Sequence, residues 1–123
     1  AFSKRHKEGL LEKHAYIKSF LGTGQKKEGQ KKGRTGFRYT VRDMMVAGLY
    51  LLDYKEKNKA LETLQLTVKQ FPNEWRAHAN LAYVYSETGN NKSAREHYKK
   101  ALGLSPGNQF VLERLKELDE EKK

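Results

Sequence analysis

The sequence predicts an all-α fold in which tandem helix-turn-helix pairs wind into a short superhelix, with one helix before them and a capping helix after. Three observations carry that prediction. Apolar residues recur at helical spacing in successive stretches. A set of residues returns at an offset of 34: Ala60 and Ala94, Leu64 and Tyr98, Val68 and Leu102, Pro72 and Pro106. Proline and glycine fall between those stretches, where helices must stop.

The elements follow in order. Residues 7–21 place Leu10, Leu11, His14, Ile17 and Leu21 at helical spacing, which predicts an amphipathic first helix. Residues 22–36 hold five glycines and no aliphatic side chain, the composition of a flexible basic linker. Thr40 and Asp43 are spaced as a capping box, with Asp in place of the usual Glu or Gln, and open an apolar helix to about Tyr54. A second helix, ALETLQLTVKQF, runs to Phe71 and stops at Pro72. The stretch EWRAHANLAYVYSETG forms the next helix, and Gly89 is expected as its left-handed cap. KSAREHYKKALGL follows and ends at Ser105-Pro106-Gly107. The last helix, 109–123, turns Leu112 and Leu115 inward, while Lys116 and Asp119 give it a solvated outer face, as the end of a repeat array requires.

The expected organisation is therefore a helix and basic linker in residues 1–40 and a repeat body in residues 41–123. The body divides into repeats 41–74 and 75–108 and the capping helix 109–123. Arrays of this kind normally need about three repeats. The apolar helix 40–54 thus needs cover from helix 7–21, from a neighbouring domain or from a second copy. That need, with Ala1 at the start, leads us to expect a piece of a longer polypeptide.

Composition narrows the function classes. The chain has no cysteine, which removes disulfides, thiolate catalysis and cysteine-based zinc sites. Both cytoplasm and periplasm suit such a chain. No window approaches a membrane span. The net charge of +10 divides unevenly: residues 1–40 carry 11 Lys/Arg and 3 acidic residues, residues 41–123 carry 14 and 12. The basicity belongs to the arm rather than to the repeats.

Residues 41–74 and 75–108 resemble the tetratricopeptide repeat family. In the second repeat the resemblance rests on Leu81-Ala82, Tyr85, Gly89, Ala94, Tyr98, Ala101-Leu102 and Pro106. In the first it rests on Ala47-Gly48, Leu51, Ala60, Leu64, Val68 and Pro72. Lys55 stands where the family's turn glycine is usual, which predicts a tighter or distorted turn. His78 stands where a large aromatic is common, with Trp75 just before it. Small residues at Gly48, Ala60, Ala82 and Ala94 let paired helices approach, and Leu51, Leu64, Tyr85 and Tyr98 fill the spaces between them.

A more specific resemblance links residues 41–123 to the tail of certain bacterial serine hydrolases of the esterase and serine beta-lactamase-like kinds. It rests on MMVAGLYLL, ALETLQLTVKQFPN, SPGN and LERLKEL. In such proteins the catalytic serine lies in a preceding domain, and no GxSxG or SxxK occurs in this chain.

Catalytic and cofactor patterns are weak. Gly24 and Gly29 have phosphate-loop spacing, but Gln30 stands where lysine is required. His6, His14, His78 and His97 show no metal-ligand spacing; His78 and His97 are expected to pack, His6 and His14 to be exposed. The expected protein is non-catalytic, without cofactor or metal, and binds a protein or peptide or packs on a neighbouring domain through its concave face or its N-terminal end.

Helical geometry selects a peptide groove on the inner face of each repeat's first helix: Arg42, Met45, Leu49 and Leu52, then Arg76, Ala79, Asn80 and Tyr83, joined by Arg114. Asn80 and Arg114 match two positions of the carboxylate clamp of chaperone-binding family members. Met45, Leu49 and Phe110 stand where that clamp needs polar or basic side chains, so the expected ligand is an extended or helical peptide. An alternative uses Lys26, Lys27, Lys31, Lys32, Arg34 and Arg38, beside Phe37 and Tyr39, along a nucleic-acid or other polyanion backbone. A homodimer formed by uncovered N-terminal helices is a third expectation.

Overall fold

A computed structural model describes residues 2–21 and 40–121, with no strand among them. Six helices follow one another: α1 (Phe2–Leu21), α2 (Val41–Asp53), α3 (Lys57–Gln70), α4 (Trp75–Glu87), α5 (Asn91–Leu104) and α6 (Gln109–Glu121).

Their ends are set by local chemistry. Thr40 and Asp43 form a full capping box: Asp43 N–H donates to Thr40 Oγ1 at 3.1 Å and Thr40 N–H donates to Asp43 Oδ2 at 3.0 Å. Asn90 caps α5 in a simpler way, accepting from Ser93 N–H at 3.1 Å. Helix α4 ends in a Schellman motif, with Asn90 N–H donating to Tyr85 O, Gly89 N–H to Ser86 O, and Gly89 at φ +90°.

The turn after α2 repeats this motif bond for bond: Glu56 N–H donates to Leu51 O and Lys55 N–H to Leu52 O, both at 2.9 Å. The distortion expected at Lys55 is absent. Lys55 adopts φ 69° and occupies the glycine's left-handed conformation itself. A Cβ there carries a steric cost. Lys55→Gly is therefore expected to raise stability by about 0.5–1 kcal/mol, net of glycine's greater freedom when unfolded. Urea denaturation checks it.

Packing reproduces the 34-residue offset. Ala60 and Leu64 are fully buried in one cluster with Ala47, Leu51, Ala77, Leu81 and Val84. Ala94 and Tyr98 are buried in a second with Ala79, Ala82, Ala101, Val111 and Leu118. Burial pushes the Tyr98 phenol up to about 12, so it stays protonated at any physiological pH. Gly48 sets the approach of α2 to α3, since a Cβ there would stand 2.7 Å from Leu64 Cγ.

Helix α1 supplies cover for the N-terminal end. It begins earlier than its apolar stripe suggests, because His6 continues the stripe and meets the rings of Tyr50 and Tyr54. Leu10, His14 and Ile17 are buried; the Leu21 side chain is not among those described. Lys7 pairs with Glu56 at 3.2 Å, and His14 and Lys18 pair with Glu62 at 2.9 and 3.2 Å. The order of these pairs makes α1 parallel to α3. His14 is only 5% exposed, contrary to the exposed position expected for it, because its Nε2 reaches the Glu62 carboxylate across the helix interface.

At the other end Arg95 donates to Asp119 at 2.6 Å, which makes α6 antiparallel to α5. Val111 and Leu118 are buried and Leu115 is partly so. Leu112 departs from the inward position expected of it and is 39% exposed. It occupies the register of His78, which stacks on His97 of the second helix of its pair, and the described residues place no such helix beside α6.

Candidate peptide-binding groove

The first helices α2, α4 and α6 run in the same direction, each antiparallel to its neighbours. Their exposed faces form three ranks at the 34-residue offset: Arg42, Arg76 and Phe110; Val46, Asn80 and Arg114; Leu49, Tyr83 and Glu117. Arg42, Arg76, Val46 and Phe110 are exposed, and Leu49, Asn80, Tyr83 and Arg114 are partly buried.

Met45 is the correction in this set. It is 8% exposed and joins the cluster of Ala77, Leu81 and Val84, with Leu49 and Leu52 packed against it. Ala79 is buried likewise. Both sit where one first helix leans on the next, so they serve the seam between repeats. The open stripe on α2 is Arg42, Val46 and Tyr50, rotated by one residue from the expected one. Val46 was legible in principle, because adding 34 leads to Asn80 and again to Arg114.

Between α4 and α6 the groove has its firmest geometry. The Arg114 guanidinium lies 5.6 Å from the Tyr83 ring centroid and 5.2 Å from that of Phe110. Phe110 stands 6.4 Å from Trp75, and the Arg76 guanidinium covers Trp75 at 4.9 Å. Cations held over aromatic faces lose little rotamer freedom on binding and keep hydrogen-bond donors free. Partly buried Glu74 lies 3.5 Å from exposed Arg76, and exposed Glu117 lies 3.3 Å from partly buried Arg114; such pairs are weak and open to exchange with another carboxylate. The trio Trp75, Phe110 and Tyr83 was missed as a unit because the contacts cross helices.

The histidines pack. His78 Nε2 lies 2.9 Å from Pro72 O, and His97 stacks between His78 and Tyr85 at 5.8 and 5.6 Å. Among the described residues no three His, Asp or Glu side chains form a metal-binding group. Burial, with Lys100 and His78 nearby, holds the His97 pKa below its ordinary 6.5. His97 is thus neutral in the fold and protonates more readily when unfolded. Its stabilising contribution is complete above pH 6.5 and is lost as pH falls below that value. His97→Gln is expected to flatten this limb of the stability profile, read by thermal denaturation from pH 7.5 to 5.

Lys26, Lys27, Lys31, Lys32, Arg34 and Arg38, with Gly24 and Gly29, lie outside the described residues. No described helix is long and apolar enough to cross a membrane.

Residues 76–108, which span α4 and α5, match the family model of the tetratricopeptide repeat. No curated protein matches the chain. Tetratricopeptide repeats generally mediate protein–protein interactions, and all-helical folds of this kind are typically non-catalytic.

Proposed function

We propose that the chain is a non-catalytic interaction scaffold that binds a peptide, or a segment of a neighbouring domain, along the face formed by α2, α4 and α6. The observation that carries this reading is the ladder Arg76, Trp75, Phe110, Arg114 and Tyr83. It presents two cations and exposed aromatic surface on the open side of a tetratricopeptide repeat. The ladder suits an extended or helical peptide with acidic and apolar residues. In this reading residues 41–123 form the binding body, the pair α2–α3 is a second repeat, and α1 serves the body as cover. Packing on a hydrolase domain, as the tail resemblance suggests, would use the same face.

Selection of peptides from a random library on the intact protein, followed by calorimetric titration, tests the assignment. Tyr83→Ala and Arg114→Ala are each expected to weaken the selected peptide at least tenfold, and Asn80→Ala by less. Unchanged affinity in all three variants would show that the peptide binds elsewhere.

The second reading, polyanion binding through residues 22–38, has the uneven charge division as its support. Labelled RNA and DNA titrated at several salt concentrations test it, and salt-independent binding would exclude that mechanism.

A further inference from the structure

The two ends of the array are complementary. In the register of the first helices, Tyr50, Val84 and Leu118 are equivalent. Val84 is 0% and Leu118 4% exposed, because the preceding helix pair covers each of them, whereas Tyr50 remains 43% exposed beside α1. Helix α1 runs parallel to α3 and so stands as the second helix of a pair. The place of that pair's first helix, alongside α1 and α2, holds none of the described helices. Helix α6 has the opposite deficit: it is a first helix whose outer side, carrying Leu112, meets no second helix among those described.

We propose that α6 of one copy occupies the place beside α1 and α2 of the next, so that α6 and α1 complete a helix pair across a head-to-tail junction. Charge selects this occupant. Helix α1 carries five Lys/Arg and two Glu, with Lys4 and Arg5 exposed at its start. Helix α6 carries Glu113, Glu117, Asp119, Glu120 and Glu121 against Arg114 and Lys116. The pairing is antiparallel, as in the pairs within the chain, and brings the acidic end of α6 to Lys4 and Arg5. A symmetric junction of two N-terminal ends would instead oppose two basic helices. Leu112 and Tyr50 supply the apolar contacts, one from each side. The junction is largely polar, so association is weak and weakens further with salt. Joining unlike faces makes it open-ended unless the rotation closes a ring.

Sedimentation equilibrium of the full chain at several concentrations and salt levels tests the junction. The weight-average mass is expected to rise from 14.3 kDa with concentration, and less so at high salt. Leu112→Asp disables the α6 face and Tyr50→Asp the opposite one, so each variant alone stays monomeric. Their mixture retains one intact face of each kind and is expected to form a heterodimer and stop there. Lys4→Glu with Arg5→Glu, which leaves the His6 contacts with Tyr50 in place, should behave as Tyr50→Asp does. A concentration-independent monomer would overturn the proposal, as would a dimer that survives Leu112→Asp or variants that fail to pair when mixed.

Discussion

Leu64→Ala is expected to lower stability by about 2–5 kcal/mol, the usual range for removing a fully buried leucine and leaving a cavity. That is a large part of the 5–15 kcal/mol typical of a whole domain. The reason is position: Leu64 lies over Gly48, where no Cβ fits between α2 and α3, and fills one cluster with Leu51, Leu81 and Val84. The same geometry predicts a coupling. Gly48→Ala alone places a methyl group 2.7 Å from Leu64 Cγ and is expected to cost about 1–3 kcal/mol through forced repacking. In the double variant the new methyl enters the space that Leu64 vacated, so the combined loss falls short of the sum by about 1 kcal/mol or more. Urea denaturation of the four proteins measures it, and strict additivity would mean that the two residues do not share that space.

Ile17→Asp is the second large effect. Ile17 is almost fully buried in α1, and a carboxylate there loses both its packing and its hydration. The expected cost is about 3–5 kcal/mol. The loss is local, because α1 reaches the body through one stripe, His6, Leu10, Leu11, His14 and Ile17, and a few ion pairs. Hydrogen exchange should rise throughout α1 and along the α2 face it covers, while α4 and α5 keep their protection. Equal loss of protection in α5 would make the chain one cooperative unit. Acid acts on the same docking surface. Hydrogen bonds from Lys7 to Glu56 and from Lys18 to Glu62 hold both carboxyls below their ordinary 4.5. The docking they support is present above that value and fades as pH falls through the lowered ones.

Much of the fold was legible because one physical requirement recurs. Each helix pair needs a small residue where its helices cross and a large one beside it, so Ala60 and Ala94, or Leu64 and Tyr98, repeat at a fixed offset. Caps were legible too, since Thr40, Asp43 and Asn90 act on backbone groups within a few residues. What escaped was set by partners distant in sequence. His14 reads as an exposed polar residue until Glu62, on another helix, is placed beside it. Lys55 breaks the glycine pattern, yet the bonds of the turn hold it in the glycine's conformation. On the proposed groove face Asn80, Tyr83 and Arg114 are partly buried, whereas Met45, expected there, is buried in the seam. A helical wheel shows a stripe but not which edge of it the next repeat covers. Leu112 shows the same limit at the far end, where the pattern marks an inward position and no described helix makes it one.

The groove itself is tested most directly by backbone amide chemical-shift mapping with the peptide selected on the intact protein. Shifts are expected to concentrate on α2, α4 and α6, at Val46, Asn80, Tyr83, Phe110 and Arg114, with α3 and α5 little changed. Shifts centred on the outer faces of α3 and α5, with those five residues silent, would contradict it.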